Sequence, residues 1–220
     1  MERHHSVRPR FVSPMLSKRI ETLPKRDAWF YEIQRPGHRA LAVKEGANVR
    51  LYSPNGNTLD CPEAVDAVRK LDARCAVIDC QLIALDEQGQ SRFEPPGLKP
   101  NNHTMHLCAF DLLHLNGRDL TNEPIERRKQ RLCTITLNTG VTFSPSLDCD
   151  PDMLIEQVVQ LSLAGIIAKR RGSTYEAGKR GGTWVKLQVN GTPVSDDALK
   201  RTKRPHRPPA SRRHRQVKDV

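Results

Sequence analysis

Alternation of apolar and polar side chains marks the first clear element. Along Trp29–Gln34, Trp29, Tyr31 and Ile33 fall on one face of a strand, and Phe30, Glu32 and Gln34 on the other. Pro36-Gly37 ends it, because proline lacks the amide hydrogen and glycine accepts positive φ. A second strand, Arg39–Val43, leaves the turn, which predicts that Glu32, Gln34 and Arg39 meet over one pocket. Strands over 39–44 and 49–53 flank Glu45-Gly46-Ala47-Asn48 as a hairpin. Pro62 opens a helix whose Ala64, Val65, Val68 and Leu71 form a core face. The apolar run over 76–85 reads as a buried strand with Asp79 and Gln81 on one face. Residues 93–103, rich in Pro and Asn, read as a loop, and 105–117 as a further strand. Residues 124–132 predict a basic helix with a solvated face, Glu126-Arg127-Arg128-Lys129-Gln130-Arg131. Asp150-Pro151 caps a last helix over 153–163, ended by Gly165.

The chain has 220 residues, 37% of them hydrophobic, with a mean hydropathy of −0.61. That is enough to bury one core in a soluble protein with some unfolded sequence. No run is long enough to span a membrane. Residues 1–10 lack the apolar segment of a signal peptide and read as a disordered arm. Cys61, Cys75, Cys80, Cys108, Cys133 and Cys149 include no CxxC pair, so they read as reduced thiols of a cytoplasmic protein. His106 and His114 have no partners at metal-ligand spacing and read as incidental. Net charge is +11, and residues 196–220 hold nine Lys/Arg against three Asp. That tail, with Arg201, Lys203, Arg204, Arg207, Arg212, Arg213 and Arg215, points to a polyanion such as nucleic acid; solubility alone is the other reading.

Glu32-Ile33-Gln34-Arg35-Pro36-Gly37-His38-Arg39 resembles the nucleotide-binding motif of ATP-dependent DNA ligases, especially the bacterial end-joining type. There it reads Glu-Ile-Lys-x-Asp-Gly-x-Arg, and the Lys takes AMP from ATP. Glu32, Ile33, Gly37 and Arg39 keep the frame, but Gln34 stands at the nucleophile and Pro36 at the Asp. Phe11–Leu16 is similar to the segment leading into that domain. Leu51-Tyr52-Ser53-Pro54-Asn55-Gly56 resembles Leu-Tyr-Ser-Arg-Asn-Gly with Pro54 at the Arg. The strand over 76–85 resembles Val-Leu-Asp-Gly-Glu-Ile-Val-Ala-Leu-Asp, with Gln81 at a metal-site Glu. Phe110-Asp111-Leu112-Leu113 keeps the family pattern Phe-Asp-Leu-Leu. The resemblance makes Phe110 an adenine-stacking ring, whereas spacing alone also allows a core Phe. The family has a similar Glu-Arg-Lys helix near 126–131. Gly165–Arg170 resembles Gly-Ile-Val-Ala-Lys-Arg, with Ala164 at a second metal-site Glu. Tyr175, Gly178, Arg180, Trp184 and Lys186 match a further family spacing, with Gln188 in place of its last Lys.

The resemblance implies an α+β nucleotidyltransferase fold, with mostly antiparallel sheets forming a cleft flanked by helices. The expected division is a basic arm (1–10), an adenylation domain (11–190) and a disordered basic tail (191–220) too short for an OB-fold. It implies a nucleotide site of Glu32, Arg39, Phe110, Lys169 and Lys186, with ATP as ligand and DNA as partner. No catalytic residue is expected at Gln34. With Gln81 and Ala164 in acidic positions, no metal site is expected and Mg²⁺ is disfavoured. Three functions stay open. One is an adenylation-defective domain that binds nucleic acid. Another is a ligase or nucleotidyltransferase working through Lys44, Lys169 or Lys186, through a partner that supplies the missing parts, or on a substrate adenylated elsewhere. The third is a decayed product that keeps only the fold.

Overall fold

The computed structural model describes residues 8–87, 91–92 and 104–189. Along them run β1 (Lys18–Ile20), β2 (Trp29–Gln34), β3 (His38–Glu45), β4 (Asn48–Tyr52), β5 (Thr58–Leu59), α1 (Pro62–Arg69), β6 (Cys75–Leu85) and β7 (Ser91–Arg92). There follow β8 (Thr104–Leu115), β9 (Arg118–Asp119), α2 (Ile125–Thr136), β10 (Val141–Phe143), α3 (Pro151–Gln160), β11 (Gly165–Arg170) and β12 (Trp184–Gln188). A smaller sheet has the order β1-β12-β11-β2, and a larger one β10-β8-β6-β3-β4-β5, with β7 on β6 and β9 on β8. Pairing is antiparallel except at β1–β12 and β10–β8.

Strand alternation sorts the core into layers. On one face of the larger sheet, Ala40, Ala42, Ile78, Cys80 and Leu107 pack with Ala64 and Val68 of α1 and Leu132 and Ile135 of α2. Between the sheets lie Phe30, Leu41, Val77, Leu113, Tyr175 and Trp184. Outside the smaller sheet, Tyr31, Ile166, Ala168 and Val185 pack with Leu154 and Val158 of α3. The two faces read along 29–34 are therefore realised: Tyr31 looks outward, while Glu32 and Gln34 look into the space between the sheets. The Pro36-Gly37 turn presses close to β6; a Cβ on Gly37 would lie 2.2 Å from the Leu82 carbonyl oxygen.

β8 carries a bulge. Asp79 pairs with Asp111 and Cys80 with Ala109, which leaves Phe110 as the extra residue. The bulge turns both Phe110 and Asp111 to the interior, an arrangement that strict alternation forbids.

Two expectations are corrected. The last helix covers Pro151–Gln160, with Asp150 accepting from the Asp152 and Met153 amides; it stops before Ser162, whose φ is +52°. Gly165 opens β11 instead of ending that helix, because its Cα lies against β12: a Cβ there would sit 2.3 Å from the Leu187 carbonyl oxygen. The basic helix, read as a solvated face, is not one throughout. Arg128 and Lys129 are buried, because they share the i, i+3, i+4, i+7 face with Ile125 and Leu132. The loop over 93–103, residues 1–7 of the arm, and the tail from 190 with its seven named cations lie outside the described residues.

Arg128 clamps Asp111 through Nε (2.8 Å) and Nη2 (2.9 Å), while its Nη1 donates to the Glu123 and Ser173 carbonyls. Both side chains are wholly buried. Arg128→Met is expected to cost about 3–5 kcal/mol in urea unfolding, because Asp111 keeps a buried, uncompensated charge. Adding Asp111→Asn to Arg128→Met is expected to recover part of that loss.

Candidate functional site

An open cleft lies between the two sheets. The smaller sheet contributes Glu32 and Gln34 from β2, Ile167 and Lys169 from β11, and Trp184 and Lys186 from β12. The larger sheet contributes Arg39 from β3, Gln81 from β6, and Cys108 and Phe110 from β8. Ser17, Ile33, Arg35 and Ser144 complete the wall. All five residues read from the sequence as a nucleotide site thus line one cavity, together with Gln34 and Gln81. Each inward residue sits at alternating positions of its strand, Cys108 and Phe110 of β8 included.

Glu32 is 3% exposed and holds two lysines. Its Oε1 receives Lys129 Nζ at 2.6 Å and pairs with Lys169 Nζ at 2.8 Å, and its Oε2 accepts from the Ser144 hydroxyl at 3.1 Å. Lys129 also donates to the Ser144 carbonyl and lies over the Phe143 ring. Lys169 lies 4.3 Å from the Trp184 ring centroid and 4.8 Å from that of Phe110, and donates to the Phe110 carbonyl. Burial pushes the Lys169 ammonium down to about 8; the Glu32 charge opposes that shift and the Lys129 charge adds to it.

Arg39 makes a two-pronged ion pair with Asp79, at 2.9 and 2.6 Å, and its guanidinium lies 5.6 Å from the Phe110 centroid. Asp79 also accepts from the Tyr175 hydroxyl at 2.6 Å, and burial together with the Asp79 charge raises the Tyr175 pKa well above its usual value. The Gln81 amide donates to the Arg35 carbonyl at 2.8 Å, which fixes it across the turn. Burial pushes the Cys108 thiol up, and the Arg35 charge offsets part of that.

Gln34 is 5% exposed and ends β2 opposite Gly165. A Cβ on Gly165 would come within 3.0 Å of the Gln34 Oε1, so the amide oxygen packs over bare glycine. Gln34 Oε1 and Trp184 Nε1 are buried with no hydrogen-bond partner among the described residues, so the wall retains one unmet acceptor and one unmet donor.

Lys44, one of three lysines considered as a substitute nucleophile, is not in the cleft. It shares the Ala40–Ala42 face of β3, opposite Arg39, and its Nζ donates to the carbonyls of Arg69 and Leu71 at the end of α1. Pro54, Gln188 and Ala164 do not line the cavity, and Ala164 is buried. Sequence reasoning missed Lys129, whose inward direction was readable from helical spacing but was overridden by the charge of its neighbours. All six cysteines are free thiols, and no described helix is long and apolar enough to cross a membrane.

The family model for the ATP dependent DNA ligase domain matches residues 14–188. The multifunctional non-homologous end joining protein LigD of Pseudomonas aeruginosa is 30% identical over 188 residues, covering 82% of this chain and 22% of that protein. A probable DNA ligase of Saccharopolyspora erythraea is 29% identical over 194 residues, covering 82% of this chain and 38% of that one. The chain therefore spans about a fifth to two fifths of these curated relatives. The crystal structure of the ligase domain of M. tuberculosis LigD superposes with a TM-score of 0.72 at 29% identity, covering 80% of this chain and 59% of that one. A mycobacterial DNA ligase D complexed with ATP and MES gives 0.70 at 27% identity, covering 80% and 60%. The fold is the nucleotidyltransferase fold of those ligase domains. With the family match running through both sheets, and Glu32, Arg39, Phe110, Lys169 and Lys186 converging on one cleft, this chain belongs to the ATP-dependent DNA ligase domain family.

Proposed function

We propose that this chain is an adenylation-defective member of its family that binds an adenine nucleotide in the cleft and DNA through its basic tail. Its working unit is a domain over 11–190 between two basic arms, acting in cytoplasmic DNA repair or recombination, with a partner protein supplying further ligase parts. The observation that carries the reading is Gln34. It occupies the nucleophile position in the wall of the cleft, and the nitrogen lone pair of an amide is delocalised into its carbonyl. What supports nucleotide binding is the surrounding set: the Phe110 and Trp184 rings and the cations Arg39, Lys169 and Lys186.

One observation favours a second reading, an enzyme using Lys169 as its nucleophile. Lys169 lines the cleft and its ammonium is brought down to about 8. Against it stand the ion pair to Glu32 and an exposure of 1%.

Intact mass after incubation with ATP and Mg²⁺ separates the two readings. The natural chain is expected to gain no AMP; an AMP adduct mapped to Lys169 overturns the proposal in favour of the second reading. DNA binding is expected to weaken steeply with salt, with log K falling by roughly 0.9 per phosphate contacted on duplex DNA. Binding that is absent, or indifferent to salt, removes the nucleic-acid half of the proposal. Lys169 also has a signature in stability. Its folded pKa lies below the unfolded value of 10.5, so the unfolded chain holds the extra proton between pH 8 and 10.5. Relative to Lys169→Met, the natural chain is therefore expected to gain stability as pH rises through that window, by about 1.4 kcal/mol per pH unit at most in urea unfolding.

A further inference from the structure

The family resemblance implies a divalent metal beside the nucleotide phosphates, and the residues here do not fit one. A hard cation such as Mg²⁺ needs charged oxygens with open lone pairs. The three carboxylates at and behind the cleft are already engaged from within the chain. Glu32 holds Lys129, Lys169 and the Ser144 hydroxyl. Asp79 holds both prongs of Arg39 and the Tyr175 hydroxyl. Asp111 holds both prongs of Arg128 and the Leu112 amide. A metal would have to displace a buried cation from each, leaving that cation uncompensated. At the two positions where the resemblance places metal-site acids stand Gln81, whose amide is turned to the Arg35 carbonyl, and Ala164. Among the described residues no group of three or more His, Cys, Asp or Glu is arranged to hold a metal ion.

The charge of the wall runs the opposite way from a metal site. Arg35, Arg39, Lys169 and Lys186 line it against two carboxylates, Glu32 in the lining and Asp79 behind Arg39, so positive charge stays in excess. Such a cleft draws in polyanions and repels free divalent cations. We infer that the cleft holds nucleotide phosphates directly on its own guanidinium and ammonium groups, in the metal-free form. This rests on the reading that the cleft takes a nucleotide, and deepens it by naming the species bound. Free ATP carries two more negative charges than its magnesium complex, and its phosphate oxygens are open to Arg and Lys donors. Magnesium therefore competes with the protein for the same oxygens.

The test is calorimetric titration of the full chain with ATP, in excess EDTA and again in excess MgCl₂ at equal ionic strength. ATP is expected to bind in EDTA and to bind roughly tenfold more weakly with magnesium, a difference of about 1.4 kcal/mol. In EDTA, Lys186→Gln is expected to lose most of the binding. If that variant does not fold, Arg35→Gln, at a half-buried position just after β2, carries the same comparison. Binding that requires or is tightened by magnesium overturns the inference while leaving the nucleotide reading in place. Binding unchanged by these substitutions puts ATP outside the cleft, on the basic tail, and overturns it as well. No binding in either buffer overturns both the inference and the nucleotide half of the proposed function, and leaves DNA binding to be judged by its salt dependence.

Discussion

One carboxylate is shared by parts of the chain that are far apart in sequence. Glu32 belongs to the smaller sheet, yet it receives Lys129 from a helix packed on the larger sheet, Ser144 from the segment after β10, and Lys169 from the neighbouring strand. Two buried ammonium groups and one carboxylate leave a local excess of positive charge. Burial lowers the Lys169 pKa against the pull of Glu32, with the Lys129 charge adding to the fall, and the excess makes the cleft attractive to anions. It also fixes which face of α2 turns inward, since Lys129 can reach Glu32 only if Ile125, Arg128 and Leu132 are buried with it. The charge of the cleft and the seating of the helix are thus set by the same group.

The strands were legible where one face is apolar and the other is not. Alternation along 29–34 and 76–85 placed Glu32, Gln34, Asp79 and Gln81 correctly, because both strands are regular and each faces two different environments. Asp111 could not be placed by alternation. Cys108 and Phe110 alternate into the cleft, but Asp111 turns inward only because β8 carries an extra residue, and a bulge leaves no mark in a hydrophobicity pattern. Family resemblance, carried by Phe110-Asp111-Leu112-Leu113, supplied a reading of Phe110 that spacing left open. Charge misled the reading of α2: six consecutive polar residues suggest solvent, but two of them sit on the apolar stripe and meet buried carboxylates. Lys44 was misjudged for a related reason, since nearness in sequence to Arg39 ignores the parity that sends the two to opposite faces of β3.

On the proposed reading, the cleft is kept as a container and altered as a reactor. Its aromatic rings and cations come from both sheets, and the turn at Gly37 and the bare Gly165 keep the backbones close enough to bring them together. Nucleotidyl transfer demands more than containment. It needs a nucleophile with an available lone pair and positive charge matched to the reacting phosphate. On the proposed reading the amide at position 34 withholds the first, while the second is supplied by Arg39, Lys169 and Lys186.

The internal pairing of the three acids also bears on how such a site changes over generations. Glu32, Asp79 and Asp111 each neutralise a buried Arg or Lys, so losing any one of them would harm folding even in a chain that catalyses nothing. Gln34, Gln81 and Ala164 neutralise no buried cation, so substitution there strands no buried charge. Selection for a folded protein alone would therefore preserve half of an ancestral active site and release the other half. Motifs that persist in this chain accordingly record the demands of folding as much as those of chemistry, and a match to them measures descent more directly than it measures activity.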